Sequence, residues 1–186
     1  MIDLKFELKK RKNAYGLVII RNRNDNINIK CLVDTGATMP VWCAGEQLLL
    51  SYYPKAVKQN CITILNGFGK GYEKASVYKI PDFILSDGKN KIHYINLLVA
   101  VMDKDYSFEM ILSYTMFSRM NLSVSTFTNR NGLHRITPNL RINSINNTYH
   151  VGARRYATTD VQEQQLLLNK FGTYNILDDI YLFTQN

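Results

Sequence analysis

Residues 31–38 read Cys31-Leu32-Val33-Asp34-Thr35-Gly36-Ala37-Thr38, and this stretch decides the fold. An apolar segment leads directly into a carboxylate, which a small hydroxyl residue and a glycine follow. The order predicts a buried strand that presents Asp34 at a tight turn. Gly36 would allow backbone conformations closed to other residues, and the Thr35 hydroxyl would hydrogen-bond to nearby main chain.

The segments around this stretch alternate in the way that strands do. Ile2, Leu4, Phe6 and Leu8 would share one face of a first strand. Polar residues 21–26 are typical of a hairpin turn, and short helices are predicted at 46–50 and 114–120. Further strands are predicted at 14–20, 27–33, 61–65, 72–80, 83–85, 93–102 and 122–127. Many short strands with few helices indicate an all-β barrel or sandwich.

A glycine-rich segment, Asn66-Gly67-Phe68-Gly69-Lys70-Gly71, lies between two of the predicted strands. Glycines at a hairpin tip allow it to open for a ligand and close over it. A plain flexible turn is the alternative interpretation. The segment lacks the glycine spacing of a phosphate-binding loop and the Ser or Thr that follows its Lys.

A second supporting segment is Met110-Ile111-Leu112-Ser113, which leads into the helical candidate at 114–120. Taken alone, it predicts a buried strand that enters a helix.

The order of these three segments resembles the retropepsin-like (retroviral-type) single-domain aspartic peptidases. The resemblance covers approximately residues 2–128. It implies a closed β-barrel with a flap hairpin and one short helix, in which the apolar segment before Ser113 braces the Asp34 loop. Ser113 stands where such proteins usually have Gly. The resemblance also implies catalytic residues (Asp34, Thr35 and Gly36) and substrate-binding residues (Ala37, Asn66, Gly67, Phe68 and Gly69).

By this resemblance the chain would be an aspartic endopeptidase that acts on a peptide or protein substrate. Two carboxylates would share one proton and activate a water molecule. The chain has a single Asp-Thr-Gly, so the second carboxylate would come from an identical subunit in a two-fold homodimer. The alternative is a catalytically inactive retropepsin-like module for dimerisation or peptide binding.

Composition sets further limits on function. The chain has 186 residues and a formal charge of +8, with basic residues concentrated between Lys5 and Lys12. No nucleic-acid motif accompanies that charge, so a nucleic-acid-binding β-barrel is only a distant alternative. No apolar run is long enough to span a bilayer and the first residues lack a signal-peptide pattern, so we expect a cytoplasmic protein with no membrane contact.

The cysteines and histidines predict neither a disulfide framework nor a metal site, and no cofactor is expected. Cys31 and Cys43 are interpreted as small core residues, whereas Trp42 and Tyr78 would line either a substrate pocket or the core. Residues 129–186 form a C-terminal extension of unknown role. Its residues 139–149 are weakly patterned, and a helix is predicted at 161–171.

Overall fold

A computed structural model describes residues 1–8, 18–37, 39–66, 72–125, 139–150, 174–177 and 180–184. Thirteen strands and two short helices lie within these residues, which makes the chain mostly β. The strands are β1 (Ile2–Glu7), β2 (Val18–Asn24), β3 (Ile27–Asp34), β4 (Val41–Trp42), β5 (Val57–Asn66), β6 (Tyr72–Ser86), β7 (Lys91–Val101), β8 (Met110–Ser113), β9 (Asn121–Ser125), β10 (Asn139–Ser144), β11 (Thr148–His150), β12 (Tyr174–Leu177) and β13 (Ile180–Thr184). The helices are α1 (Glu46–Tyr52) and α2 (Tyr114–Phe117).

The strands form two sheets. The smaller has the order β1-β10-β9, and the larger has the order β12-β13-β5-β6-β7-β4-β8-β3-β2, with β11 added in parallel to β7. Within the described residues both sheets are open, since β2 and β12 lie at opposite ends of the larger one. The all-β class agrees with the prediction, but the closed barrel does not. α1 agrees with the helix predicted at 46–50, whereas the resemblance implies one short helix in the peptidase domain.

Two groups of buried apolar side chains hold the sheets together. The larger core surrounds Trp42, Phe83 and Tyr94 and includes Leu4 and Ile142 from the smaller sheet. The second group, called here the small apolar cluster, consists of Leu32, Met39, Val41, Cys43, Ala75, Val77, Ala100, Met102 and Ile111. It joins the strand that carries Asp34 to the first part of β6.

The smaller sheet draws its central strand from the predicted extension. β10 pairs antiparallel with β1 on one side and with β9 on the other. Leu140 and Ile142 on β10 are fully buried, so this weakly patterned segment contributes to the core. The helix predicted at 161–171 lies outside the described residues, and the boundary at 128/129 stays a prediction.

Asn22 and Pro81 lie inside strands at positions where the sequence predicts a turn or a strand boundary. The expected turn at 21–26 begins only at Asp25, because the buried Asn22 side chain accepts from Ser86 N (2.8 Å) and donates to Ile84 O (3.0 Å).

Pro81, expected to start a new strand, lies within β6. On β7, Leu97 pairs with Ile80 and Ile95 pairs with Asp82. Asn96, between these two β7 residues, has a φ of 54°. The ladder therefore omits the proline, which has no N–H to donate.

Candidate active site

Asp34 is the last residue of β3, and its own turn orients its carboxylate. The Gly36 amide donates to Asp34 Oδ1 over 2.9 Å, and the Ala37 amide donates to the Asp34 carbonyl over 3.1 Å. The Asp34 residue is half-buried. One carboxylate oxygen is thus held by main chain at the end of a strand, as the sequence predicts.

Gly36 suits this turn for a different reason from the predicted one. Its φ is not in the left-handed region, where the described glycines are Gly45 and Gly88. A Cβ added to Gly36 would instead lie 3.1 Å from Asp34 Oδ1. The missing side chain therefore allows the carboxylate to approach the amide closely.

The strand that carries Asp34 is braced by β8, which runs parallel to it. Their register pairs Cys31 with Met110 and continues to Asp34 and Ser113. Glu109 fixes the start of this register, since its amide donates to Lys30 O (2.9 Å) and its Oε2 accepts from Lys30 N (2.7 Å). Sequence reasoning missed Glu109, because the residue it holds is 79 positions away.

The buried position at the end of β8 accommodates Ser113 with its hydroxyl paired. The residue is fully buried, and its Oγ lies 2.7 Å from Thr115 Oγ1. The next residue, Tyr114, donates its amide to Ala37 O over 2.9 Å. The start of α2 is therefore tied directly to the Asp34 loop, and a serine at this position is compatible with the brace.

Thr35 does not tie the turn to neighbouring main chain as expected. Its side chain is exposed, and its hydroxyl has no hydrogen-bond partner among the residues that the structure describes.

The predicted flap corresponds to the hairpin of β5 and β6, whose last described pair is Asn66 with Tyr72. The predicted substrate-binding residues Gly67, Phe68 and Gly69 lie outside the described residues. The residue after Tyr72 on β6, Glu73, forms a 2.7 Å ion pair with Lys104. The hydrogen bond to Glu73 raises the pKa of Lys104. This pair links the hairpin to the segment that follows β7.

The small apolar cluster extends from the Asp34 loop to the hairpin. Ala37, a predicted substrate-binding residue, packs against it from the loop, and Leu65 packs against it from β5. Phe108 adds a third partly buried side chain. The loop and the hairpin thus pack against one buried apolar cluster.

Trp42 and Tyr78 occupy core positions. Trp42 is fully buried and donates its Nε1–H to Gly45 O over 2.8 Å. Tyr78 is also buried and donates its hydroxyl to Glu46. Burial first, and then the hydrogen bond to Glu46, raises the pKa of Tyr78 to about 12. These contacts account for both residues without a ligand.

Cys31 and Cys43 are buried free thiols. Burial raises the pKa of both thiols, that of Cys43 to about 12 against a smaller lowering by Lys104. Within the described ranges there is no group of three or more His, Cys, Asp or Glu residues that could hold a metal ion. None of the helices found in those ranges is long and apolar enough to cross a membrane.

Comparison with known proteins finds similarity among solved structures. No protein-family model and no curated protein matches the chain. Among solved structures, the chain is similar to a retropepsin-like aspartic protease from Rickettsia conorii. The two share 16% sequence identity with a TM-score of 0.44, over 76% of this chain and 90% of that one.

Proposed function

We propose that this chain is one subunit of a retropepsin-like aspartic endopeptidase, and that Asp34 is its catalytic carboxylate. The observation that carries the proposal is the Asp34 turn, in which the Gly36 amide holds Oδ1 at 2.9 Å. A carboxylate held by main chain at a strand end is preorganised to position a water molecule. The parallel brace from β8 and the bond from Tyr114 to Ala37 support the same loop.

The proposed chemistry needs two carboxylates around one water molecule. Two such groups in close contact do not both ionise, so the pair retains one proton. The ionised carboxylate accepts a proton from water, and the resulting hydroxide attacks the peptide carbonyl carbon. The protonated carboxyl donates its proton to the carbonyl oxygen as the tetrahedral intermediate forms. The first carboxyl then donates the proton it took from water to the amine nitrogen, and the second carboxylate takes a proton from a hydroxyl of the intermediate. The C–N bond breaks, the amine and the carboxylic acid leave, and the pair again holds one proton.

The second carboxylate would come from an identical subunit. Asp34 belongs to the single Asp-Thr-Gly of the chain. Within the residues that the structure describes, no other acidic side chain is hydrogen-bonded to the Asp34 loop. A two-fold axis beside Asp34 would place two copies face to face. The exposed Thr35 hydroxyl is available to hydrogen-bond across that axis.

The proposed substrate is an extended peptide that passes between the Asp34 loop and the hairpin. Ala37 and residues 66–69 would contact it, as the resemblance implies. The small apolar cluster borders both elements through Ala37 and Leu65. The cluster itself is buried, so apolar substrate side chains near the cleaved bond would gain from contact with the partly buried Ala37 and Leu65 at its edge.

The experiment compares purified wild-type protein with Asp34→Asn and a matched control, Asp25→Asn. Asp25 lies in the exposed β2–β3 turn, where Asn also tolerates the φ of 50°. Each protein is incubated with a diverse peptide mixture between about pH 4 and pH 7, where a carboxylate pair retains one proton. Cleavage by wild type and Asp25→Asn alone supports the proposal. Equal cleavage by Asp34→Asn removes Asp34 from the mechanism, and no cleavage by any protein favours the inactive module.

A further inference from the structure

The outer edge of β5 is covered by the C-terminal end of the chain. β13 pairs antiparallel with β5 through Leu182 with Thr63, Phe183 with Ile62 and Thr184 with Cys61. β13 in turn pairs with β12, so residues 174–177 and 180–184 contribute two strands beside the hairpin. β5 would otherwise present unpaired N–H and C=O groups, which readily pair with another extended segment.

The β13 contact is short and lies beside an irregularity in β5. The pairing of β5 with β6 shifts register between Lys58 and Ile62, and within the described residues β13 pairs with residues 61–63. Thr63, opposite Leu182, is 1% exposed, whereas Val57, on the other side of the irregularity, is 52% exposed. Among the residues that the structure describes, three pairs join β13 to β5 and seven join β5 to β6. The described part of the outer ladder is therefore the shorter of the two.

We propose that this edge of β5 is a strand-docking surface for extended polypeptide, and that residues 180–184 are its built-in, displaceable occupant. Strand addition is driven by main-chain hydrogen bonds, so it tolerates many sequences. An extended segment of another protein that docks beside the hairpin must first displace β13. The C-terminal strand thus controls access to this edge, whether or not the chain is a peptidase.

A cross-strand disulfide tests whether residues 180–184 occupy the edge within the same chain. Residues opposite each other on antiparallel strands have Cα atoms about 4.5–5.5 Å apart, within the range that a disulfide spans. Thr184→Cys places a thiol opposite Cys61. Mild oxidation should link the two within one chain, as mapped by mass spectrometry.

The disulfide control is Thr184→Cys combined with Cys61→Ser, which should form no such link. Cys31 and Cys43 are buried and cannot substitute for Cys61. Failure of Thr184→Cys to link to Cys61, or a link that joins two chains instead, would overturn the intramolecular assignment.

Displacement is tested in the full chain with Leu182→Pro/Phe183→Pro. Adjacent strand residues direct their N–H groups to opposite sides, so this pair removes one donor that faces β5. Those amides of residues 61–63 that face β13 should then exchange with solvent about tenfold faster, as expected when the loss of a hydrogen bond weakens the ladder. A labelled synthetic peptide of residues 174–186 should bind this variant about tenfold more tightly than it binds the unsubstituted chain.

The matched control is Leu182→Val/Phe183→Val, which keeps both N–H donors and suits a strand. It should behave like the unsubstituted chain in both measurements. All three chains carry Asp34→Asn, including the reference chain that is unsubstituted at 182 and 183. The probe peptide is therefore not cleaved by the proposed activity. Equal binding to all three chains, or binding to none, would overturn the docking surface. Neither readout measures peptide cleavage, so failure of the proposed function would be seen separately.

Discussion

The Gly36 amide lies 2.9 Å from Oδ1 of Asp34, and a Cβ on Gly36 would lie 3.1 Å from that same oxygen. Both distances describe the same close approach of the Asp34 carboxylate to the Gly36 main chain. The position of the carboxylate therefore depends on the absence of a side chain two residues later. This relationship allows catalysis and stability to be tested separately.

Gly36→Ala is expected to reduce peptidase kcat/KM by about 10–100-fold, because a small displacement of a reacting group is costly. The loss of stability should stay below about 1 kcal/mol, since Gly36 does not need a left-handed φ. Kinetics and thermal unfolding measure the two effects. The matched control is Gly88→Ala: Gly88 has a φ of 96° and open space around it. That variant should lose about 1 kcal/mol of stability and keep its activity. Unchanged kcat/KM in Gly36→Ala would contradict the role of the contact.

Ser113→Val is expected to destabilise the folded state by about 1–3 kcal/mol. Ser113 is fully buried beside Asp34, and valine would remove the contact with Thr115 Oγ1 while adding volume. Urea denaturation gives the free energy of unfolding. Ser123→Val, at an exposed position on β9, is the matched control and should change it by less than about 0.5 kcal/mol. Equal effects of the two substitutions would show that the Ser113 site is not tightly packed.

Asn22→Ala is expected to cost about 2–4 kcal/mol of unfolding free energy. The substitution leaves the amide of Ser86 and the carbonyl of Ile84 without the Asn22 side chain that pairs with them inside the fold. Asn28→Ala is the control, since Asn28 makes only an exposed side-chain hydrogen bond, with Arg21. It should cost less than about 0.5 kcal/mol. A small effect of Asn22→Ala would mean that water replaces the lost side chain.

Cys43 is expected to resist alkylation in the folded protein at pH 8. Burial raises the pKa of this thiol from 9.0 to about 12, so little of the reactive thiolate forms. The folded state holds the proton more tightly than the unfolded chain does. The resulting stabilisation is fully present below about pH 9 and is lost as the pH rises toward 12. Iodoacetamide labelling with mass spectrometry measures the reaction, and the same protein in guanidinium chloride is the control. Equal labelling of Cys43 in both states would contradict its burial.

The Asp34 turn could be predicted from the sequence because its geometry is local. The apolar lead-in, the carboxylate and the glycine lie within six residues, and the structure has the expected strand and turn. The brace was predicted only in part. The apolar run before Ser113 indicated a buried strand, whereas the bonds between Glu109 and Lys30 join residues 79 positions apart and leave no local signal.

Polar residues inside strands were the hardest to predict. Asn22 favours a turn by its own propensity, and only the main chain of β6 makes it a strand residue. Pro81 likewise lies within β6 because the facing strand omits it from the ladder. In β10, the alternation of Leu140 and Ile142 was a usable signal, but the surrounding asparagines obscured it. Its partners, β1 and β9, cannot be inferred from that segment alone.

The most direct test of the central claim, that two copies of Asp34 form one active site, is a mixed-subunit measurement. Wild-type and Asp34→Asn chains are unfolded together, refolded at equal amounts, and assayed for peptide cleavage. Random pairing leaves about a quarter of the dimers with two intact carboxylates, so activity per wild-type chain should fall to about half. Mixing with Asp25→Asn, whose chains keep Asp34, should instead leave the activity per Asp34-containing chain unchanged. Activity per wild-type chain that is unaffected by Asp34→Asn would contradict a site shared between two subunits.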